Sequence, residues 1–343
     1  MTGLERTLKA LAGQETDCVP TALHNFLFAA DYIGLDLEEG MKSGEALAQA
    51  QLAVWRDFGH DCLQMENGVA AMAEAIGCKI NYSKEQPPHV EVPVLQDLSK
   101  IDELSVPDPE TTFPLCENLK CTRIVAKEIG NKAFIMGRSD QGPMALAFAL
   151  AGPENFLINL MDPKMELVIR RILEFCVECT TAYSLTQKKM GAHGTSIGGI
   201  GTALISPQMY RQWELPYEKK CVRAVRQDDF KTFVHICDDE SDILHDMFSS
   251  EADCLELDAS TPLENVRKAL DEEKRGAVLG MVDIKHVLPF GTVQEVIDAT
   301  TEAIEVLALT RRLIVAPGCA LPANTPAENI HALIETAHSY KPA

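Results

Sequence analysis

Eight short apolar runs, each followed by an amphipathic stretch of helical period, recur along this chain and leave few folds open. The runs fall at 18–23, 61–65, 133–136, 195–200, 231–237, 254–257, 277–281 and 313–316. The helical stretches are 44–58, 69–77, 115–129, 142–151, 166–189, 207–225, 241–248, 263–270, 293–308 and 326–340. Alternation of this kind builds a parallel sheet with right-handed crossovers. Eight repeats match an α/β fold of the (β/α)8 barrel type, with an open doubly wound sheet as the alternative. No glycine-rich dinucleotide fingerprint follows the first run, which favours the barrel. The stretch 79–112 breaks the rhythm with Pro87, Pro88, Pro93, Pro107 and Pro109 among scattered acids. It is expected to be a partly β insertion after the second strand, in a chain that otherwise forms one barrel domain over 1–343.

The 343 residues are 46% hydrophobic, enough for a core of that size. The 51 acidic residues outnumber the 31 basic ones, for a net charge of −20, which argues against nucleic acid or an anionic membrane as partner. No run approaches the roughly 18 apolar residues of a membrane span. The opening 1–11 reads as a short amphipathic segment without a long apolar core, so no signal peptide is expected there. Eleven cysteines are an odd number in a long chain, so a reducing cytoplasm with free, mostly buried thiols is expected. Cys176 and Cys179 form a C-x-x-C inside a helical pattern, where a redox role is not expected.

Two of the apolar runs end in metal-ligand residues. The fifth ends in His235-Ile236-Cys237, and residues two apart on a strand share a face. The eighth leads into Ala316-Pro317-Gly318-Cys319. Barrel enzymes place their chemistry at the C-terminal strand ends, where these three side chains would meet over the pocket. One imidazole and two thiolates suit Zn²⁺ and leave a fourth position open, the catalytic pattern. A His and a Cys packed in the core remain the competing reading. Asp258 ends the sixth strand and could tune or fill the fourth position. Asn25, Glu66, Ser139, Asp140, Gly198 and Asp283 stand at other strand ends and are pocket candidates by position, although each could equally cap a helix or shape a turn. His24, His245 and His286 read as solvent or helix-face histidines, and Asp238, Asp239, Glu240 and Asp242 as a solvated turn. Two thiolates cancel most of the zinc charge, so such a site suits activation of a substrate thiol better than hydrolysis.

His235-Ile236-Cys237 and Ala316-Pro317-Gly318-Cys319, with Asn324-Thr325-Pro326-Ala327-Glu328-Asn329-Ile330 behind them, resemble the uroporphyrinogen decarboxylase superfamily, and within it the zinc-dependent corrinoid methyltransferases. Arg6 to Gly13, Asp17-Cys18-Val19-Pro20, Ala73 to Ile80, Gly142-Pro143 and Ser206-Pro207 fit the same pattern, so the resemblance spans nearly the whole chain. It implies a (β/α)8 barrel with His235, Cys237 and Cys319 as zinc ligands. It implies a methyl group moved between a methylcobamide (cobalamin) on a partner corrinoid protein and a small thiol such as coenzyme M. Glu66, Asp140 and Asp258 would then serve the chemistry, with Asn25, Ser139, Gly198 and Asp283 around the bound groups. Cobalamin-independent methionine synthase is similar in its site, and Asp258 matches its acidic position with a small gap. The chain lacks the Asp-x-His-x-x-Gly corrinoid motif, so the cobalamin would sit on a separate protein. Pro20 is followed by Thr21-Ala22-Leu23-His24-Asn25-Phe26, without the arginines expected of a porphyrinogen decarboxylase. Demethylation of a methylated substrate, decarboxylation, and a non-catalytic barrel that binds a corrinoid protein are the alternatives.

Overall fold

A computed structural model describes residues 1–66, 68–83 and 87–341. Among the described residues ten strands form in chain order: β1 (Ala22–Leu23), β2 (Cys62–Met65), β3 (Lys79–Asn81), β4 (His89–Val92), β5 (Phe134–Arg138), β6 (Gly194–Gly198), β7 (Lys231–Ile236), β8 (Cys254–Leu257), β9 (Ala277–Val282) and β10 (Leu313–Pro317). Eight of them make one sheet in the order β1-β2-β5-β6-β7-β8-β9-β10. All the pairings within it are parallel. The last strand returns to the first through a parallel bridge between Thr21 and Val315, where the Val315 N–H donates to the Pro20 carbonyl at 2.9 Å. The sheet therefore closes into a barrel, and helices fill the crossovers. β3 and β4 form a separate antiparallel hairpin, followed by a 3₁₀ turn at Leu98–Glu103.

Period-two alternation sorts the strand residues. Ala22, Cys62, Phe134, Met136, Phe233, Cys254, Ala277, Leu279, Ile314 and Ala316 form the cluster inside the barrel. Their neighbours Leu63, Ile135, Val234, Leu255, Val278 and Val315 pack outward against the helices. The rings of Phe134 and Phe233 meet edge-on at 5.8 Å and fill the lower interior. Gly194 makes room for them: a Cβ there would lie 3.1 Å from each ring and 2.6 Å from the Lys231 carbonyl oxygen.

The first strand is shorter than its expected span of 18–23, because Pro20 has no N–H to enter a ladder. After it come two helices that apolar periodicity did not reveal, Phe26–Tyr32 and Leu37–Lys42. Each is under two turns long, too short for a period to emerge. The helices Leu115–Ile129 and Glu166–Lys189 lie where the pattern placed them. The expected helix 207–225 is interrupted by a π-helical turn at Tyr210–Glu214. All eleven cysteines are unpaired, and Cys176 and Cys179 are buried on one helix. Among the described residues no helix is long and apolar enough to cross a membrane.

Asp61 ties the bottom of the barrel together. It accepts from Arg6 Nη1 at 2.5 Å, the Thr21 N–H at 2.8 Å and His338 Nε2 at 2.8 Å, which joins the first helix, the first strand and the last helix. Burial would raise its pKa, but His338, Arg6 and Thr21 outweigh burial and hold it below the ordinary carboxylate range. The stabilisation is complete above that range and fades as pH falls through the depressed value. Asp61→Asn is expected to cost about 3 kcal/mol of stability at neutral pH, read from the midpoint of chemical denaturation, and to flatten the loss of stability on acidification.

Candidate metal centre

β7 carries Phe233 and His235 inward, and Cys237 stands just past its end. The Gly199 N–H donates to the His235 carbonyl at 2.7 Å, which anchors this strand end to the glycine-rich loop after β6. Cys319 stands two residues beyond β10. Gly318 lets that turn pack tightly: a Cβ there would lie 2.9 Å from the Ala259 nitrogen and 3.0 Å from the Asp258 Cα. The Gly318 N–H also donates to the Val282 carbonyl at 2.9 Å.

These contacts bring three donor atoms into one triangle. His235 Nε2 lies 3.1 Å from Cys237 Sγ and 3.4 Å from Cys319 Sγ, and the two sulfurs are 3.5 Å apart. Tetrahedral zinc, with bonds of about 2.0 Å to nitrogen and 2.3 Å to sulfur, needs edges of roughly 3.5–3.8 Å. The triangle fits such an ion after an expansion of a few tenths of an ångström. The other ring nitrogen of His235, Nδ1, is 3.2 Å from the Glu256 carbonyl oxygen. A carbonyl can only accept, so Nδ1 carries a hydrogen, and in the neutral imidazole Nε2 turns its lone pair to the sulfurs.

The electrostatics agree with this donor set. Cys319 is held well below the ordinary thiol range by the hydrogen bond from Cys237 and by His235, against the effect of burial. Cys237 is pushed up by the same bond to Cys319 and by burial. The pair behaves as one thiolate hydrogen-bonded by the other cysteine's thiol. His235 is raised, since the Cys319 thiolate outweighs the burial that would lower it.

Around the triangle lies a buried polar ring. His24, expected in solvent, is buried and meets Glu66 with Nε2 and Oε2 2.5 Å apart. Burial raises the pKa of Glu66, but His24 and Arg138 bring it below the ordinary range. Arg138 is only 3% exposed. It donates from Nε to the Asp140 carbonyl at 3.1 Å and from Nη1 to Ser196 Oγ at 3.0 Å, with Glu66 Oε2 3.8 Å away. A Cβ at Gly198 would come within 2.5 Å of Arg138 Nη2, so the glycine leaves room for the guanidinium in its present place. Asp140 has a left-handed backbone, φ 69°, and accepts from the Met72 N–H at 2.8 Å, which caps the helix Ala71–Ile76 from outside. Burial pushes its carboxyl up to about 7.

The remaining pocket candidates are placed less centrally. Asp258 is buried beside the triangle, but its Oδ1 accepts from the Ser260 N–H at 2.7 Å and Ser260 Oγ at 2.6 Å, and it is not among the three clustered donors. Ser139 donates to the Ser196 carbonyl at 2.9 Å. Asp283 accepts from the His286 N–H in its own loop at 3.0 Å. Asn25 is buried with both amide atoms unpartnered among the described residues. Glu240, expected in a solvated turn, is fully buried and accepts from the Thr202 N–H, with burial pushing it up to about 7. Glu214, from the π-helical turn, accepts from the Ile200 N–H at 2.6 Å, so two buried acids hold the glycine-rich loop. His24 and Arg138 were missed as site residues. Arg138 was accessible in principle, because Phe134, Met136 and Arg138 alternate inward on one strand.

Known proteins resemble this chain along its length. A methylcobamide:CoM methyltransferase of Methanosarcina acetivorans is 25% identical, with 98% of each chain covered. A methylated-thiol–coenzyme M methyltransferase of Methanosarcina mazei is 24% identical, covering 97% of this chain and 88% of its own. A solved methyltransferase structure from Methanosarcina mazei shares the fold with a TM-score of 0.87, at 24% identity and 98% coverage of both chains. The sequence profile of the uroporphyrinogen decarboxylase (URO-D) family matches residues 2–340, and this chain belongs to that family.

Proposed function

We propose that this protein is a zinc-dependent methyltransferase that moves a methyl group from a corrinoid, carried on a partner protein, to a small thiol. The observation that carries this reading is the triangle of His235 Nε2, Cys237 Sγ and Cys319 Sγ at the C-terminal mouth of the barrel. Relatives of similar length that are named methyltransferases support it. The three donors suit zinc and leave its fourth position for substrate. When bound, the metal supplies a site where a thiol is held as its thiolate at neutral pH.

The residues around the triangle have distinct tasks. His235 is oriented by its Nδ1–H bond to Glu256, and Cys237 and Cys319 present their sulfurs at the same point. Glu66 stays ionised and keeps His24 oriented at the wall. Asp140, pushed up to about 7, is matched to holding and releasing a proton at neutral pH. Asp258, beside the triangle, would place a carboxylate near a bound metal and tune its charge. The corrinoid protein docks over the C-terminal strand ends, so the methyl donor approaches along the barrel axis. The chain's contribution is to align sulfur with the methyl carbon and to exclude water.

Three outcomes are expected. Metal analysis of the purified protein should find about one zinc per chain, lost in Cys237→Ala and Cys319→Ala and better retained in Asp258→Asn. Zinc that persists in both cysteine variants, or is absent even after reconstitution, rules out the site. Thiol binding should release about one proton at neutral pH, and zinc-edge spectroscopy should show a further sulfur joining the shell. With free methylcobalamin as surrogate donor, a thiol panel then tests turnover. A methylated compound that charges cob(I)alamin, with no thiol altering the zinc shell, would show that transfer runs in the opposite direction. Uroporphyrinogen is expected not to react, because no arginine follows Pro20 in the segment Thr21–Asn25; its conversion to coproporphyrinogen by the pure protein would replace the methyltransferase reading with the decarboxylase one.

A further inference from the structure

The barrel axis holds polar groups that methyl transfer leaves without a task. Cys62 and Cys254 lie in the interior cluster, while Leu63, Leu255 and Leu257 pack outward. Alternation therefore aims Gln64 and Glu256 at the axis. Their strands, β2 and β8, are second and sixth around the ring, so the two side chains enter from opposite walls. Gln64 is 1% exposed and Glu256 4%. Both amide atoms of Gln64 and Oε1 of Glu256 have no hydrogen-bond partner among the described residues. Buried polar atoms are almost always partnered, and an unpaired buried carboxylate is the costliest exception.

The charges around the triangle show what is missing. Glu66 has His24 at 2.5 Å and Arg138 at 3.8 Å. Asp258 has Lys285 at 3.9 Å. Glu256 has no cation within ion-pair distance among the described residues: Arg138 directs Nε to Asp140 and Nη1 to Ser196 and acts on Glu256 only as a longer-range charge. The metal does not offset this charge, because a divalent ion with two thiolates is already neutral. Glu256 also sits beside the triangle: it is the ladder partner of His235, and neighbouring strands lie about 4.8 Å apart. A two-carbon chain spans that step. The missing group is a small cation that can also donate hydrogen bonds.

We propose that the acceptor thiol carries a protonated primary amine on a short chain, that Glu256 receives the ammonium on the barrel axis, and that the Gln64 side-chain oxygen accepts a second N–H. This rests on the thiol reading of the site and names its substrate class. An ammonium has three donors and no acceptor, which matches one carboxylate and one amide oxygen. An anionic tail would meet repulsion from Glu256 and would depend on Arg138 alone.

Calorimetric titration of the zinc-loaded protein with 2-aminoethanethiol, 2-mercaptoethanol, 2-mercaptoethanesulfonate and sulfur-free ethylamine tests this. The aminothiol is expected to bind on the order of tenfold or more tightly than 2-mercaptoethanol. Glu256→Gln, which keeps the shape of the side chain, should bring the aminothiol down to the level of the neutral thiol, and Gln64→Met should weaken it severalfold. Circular dichroism and zinc content check that both variants fold. A sulfonate that binds as tightly as the amine, or a preference for the amine that survives Glu256→Gln, overturns the proposal. Ethylamine separates the two claims. If it binds the parent protein but not Glu256→Gln, while no thiol changes the zinc shell, the ammonium subsite stands and the thiol reading fails. If thiols bind without regard to an amine, the thiol reading stands and the subsite fails.

Discussion

The closing bridge between the first and last barrel strands is the contact on which the rest depends. The Val315 N–H donates to the Pro20 carbonyl, and Thr21 pairs with Val315. Only a closed ring puts β10 within reach of β7, three strands away, so that Cys319 meets His235 and Cys237. Asp61 reinforces the seam from below by holding Thr21, Arg6 and His338 together. Without closure the three donors would belong to separate edges of an open sheet.

Inside the ring the character changes with depth. The lower interior is apolar and filled by Phe134 and Phe233. Above it Gln64, Glu66, Arg138, His235 and Glu256 replace hydrocarbon with polar and charged groups. Burial of so many charges opposes folding unless each finds a partner. The apolar plug and the outward-facing leucines and valines supply burial that offsets this cost. The polar ring is therefore a local sacrifice of stability carried by a large apolar frame, which is how strained or charged sites persist in folded proteins.

Much of the frame was legible because it follows from period and punctuation. The runs ending at Cys237 and Leu257 and the helices Leu115–Ile129 and Glu166–Lys189 needed only alternation and helical spacing. Convergence of His235, Cys237 and Cys319 was anticipated from strand ends alone. His24 and Glu240 were misread as solvent-facing because exposure of a loop residue depends on what folds over it: Leu321, for instance, donates its N–H to the His24 carbonyl from the far end of the chain. The two short helices after β1 and the π-helical turn carry no periodic signal of their own, and tertiary packing decides them.

Gly318 has a consequence for anyone who would transplant this site. Its missing Cβ lets the chain before Cys319 press against the backbone of Asp258 and Ala259. The third donor is thus positioned by a peptide-on-peptide contact with a neighbouring loop, and its coordinates cannot be copied as a side chain alone. A graft of His235, Cys237 and Cys319 onto another barrel would have to import the Pro317-Gly318 turn together with the loop it leans on. An alanine at 318, the smallest possible change, would lever the sulfur away from its two companions and leave a scaffold with the right residues and no common centre.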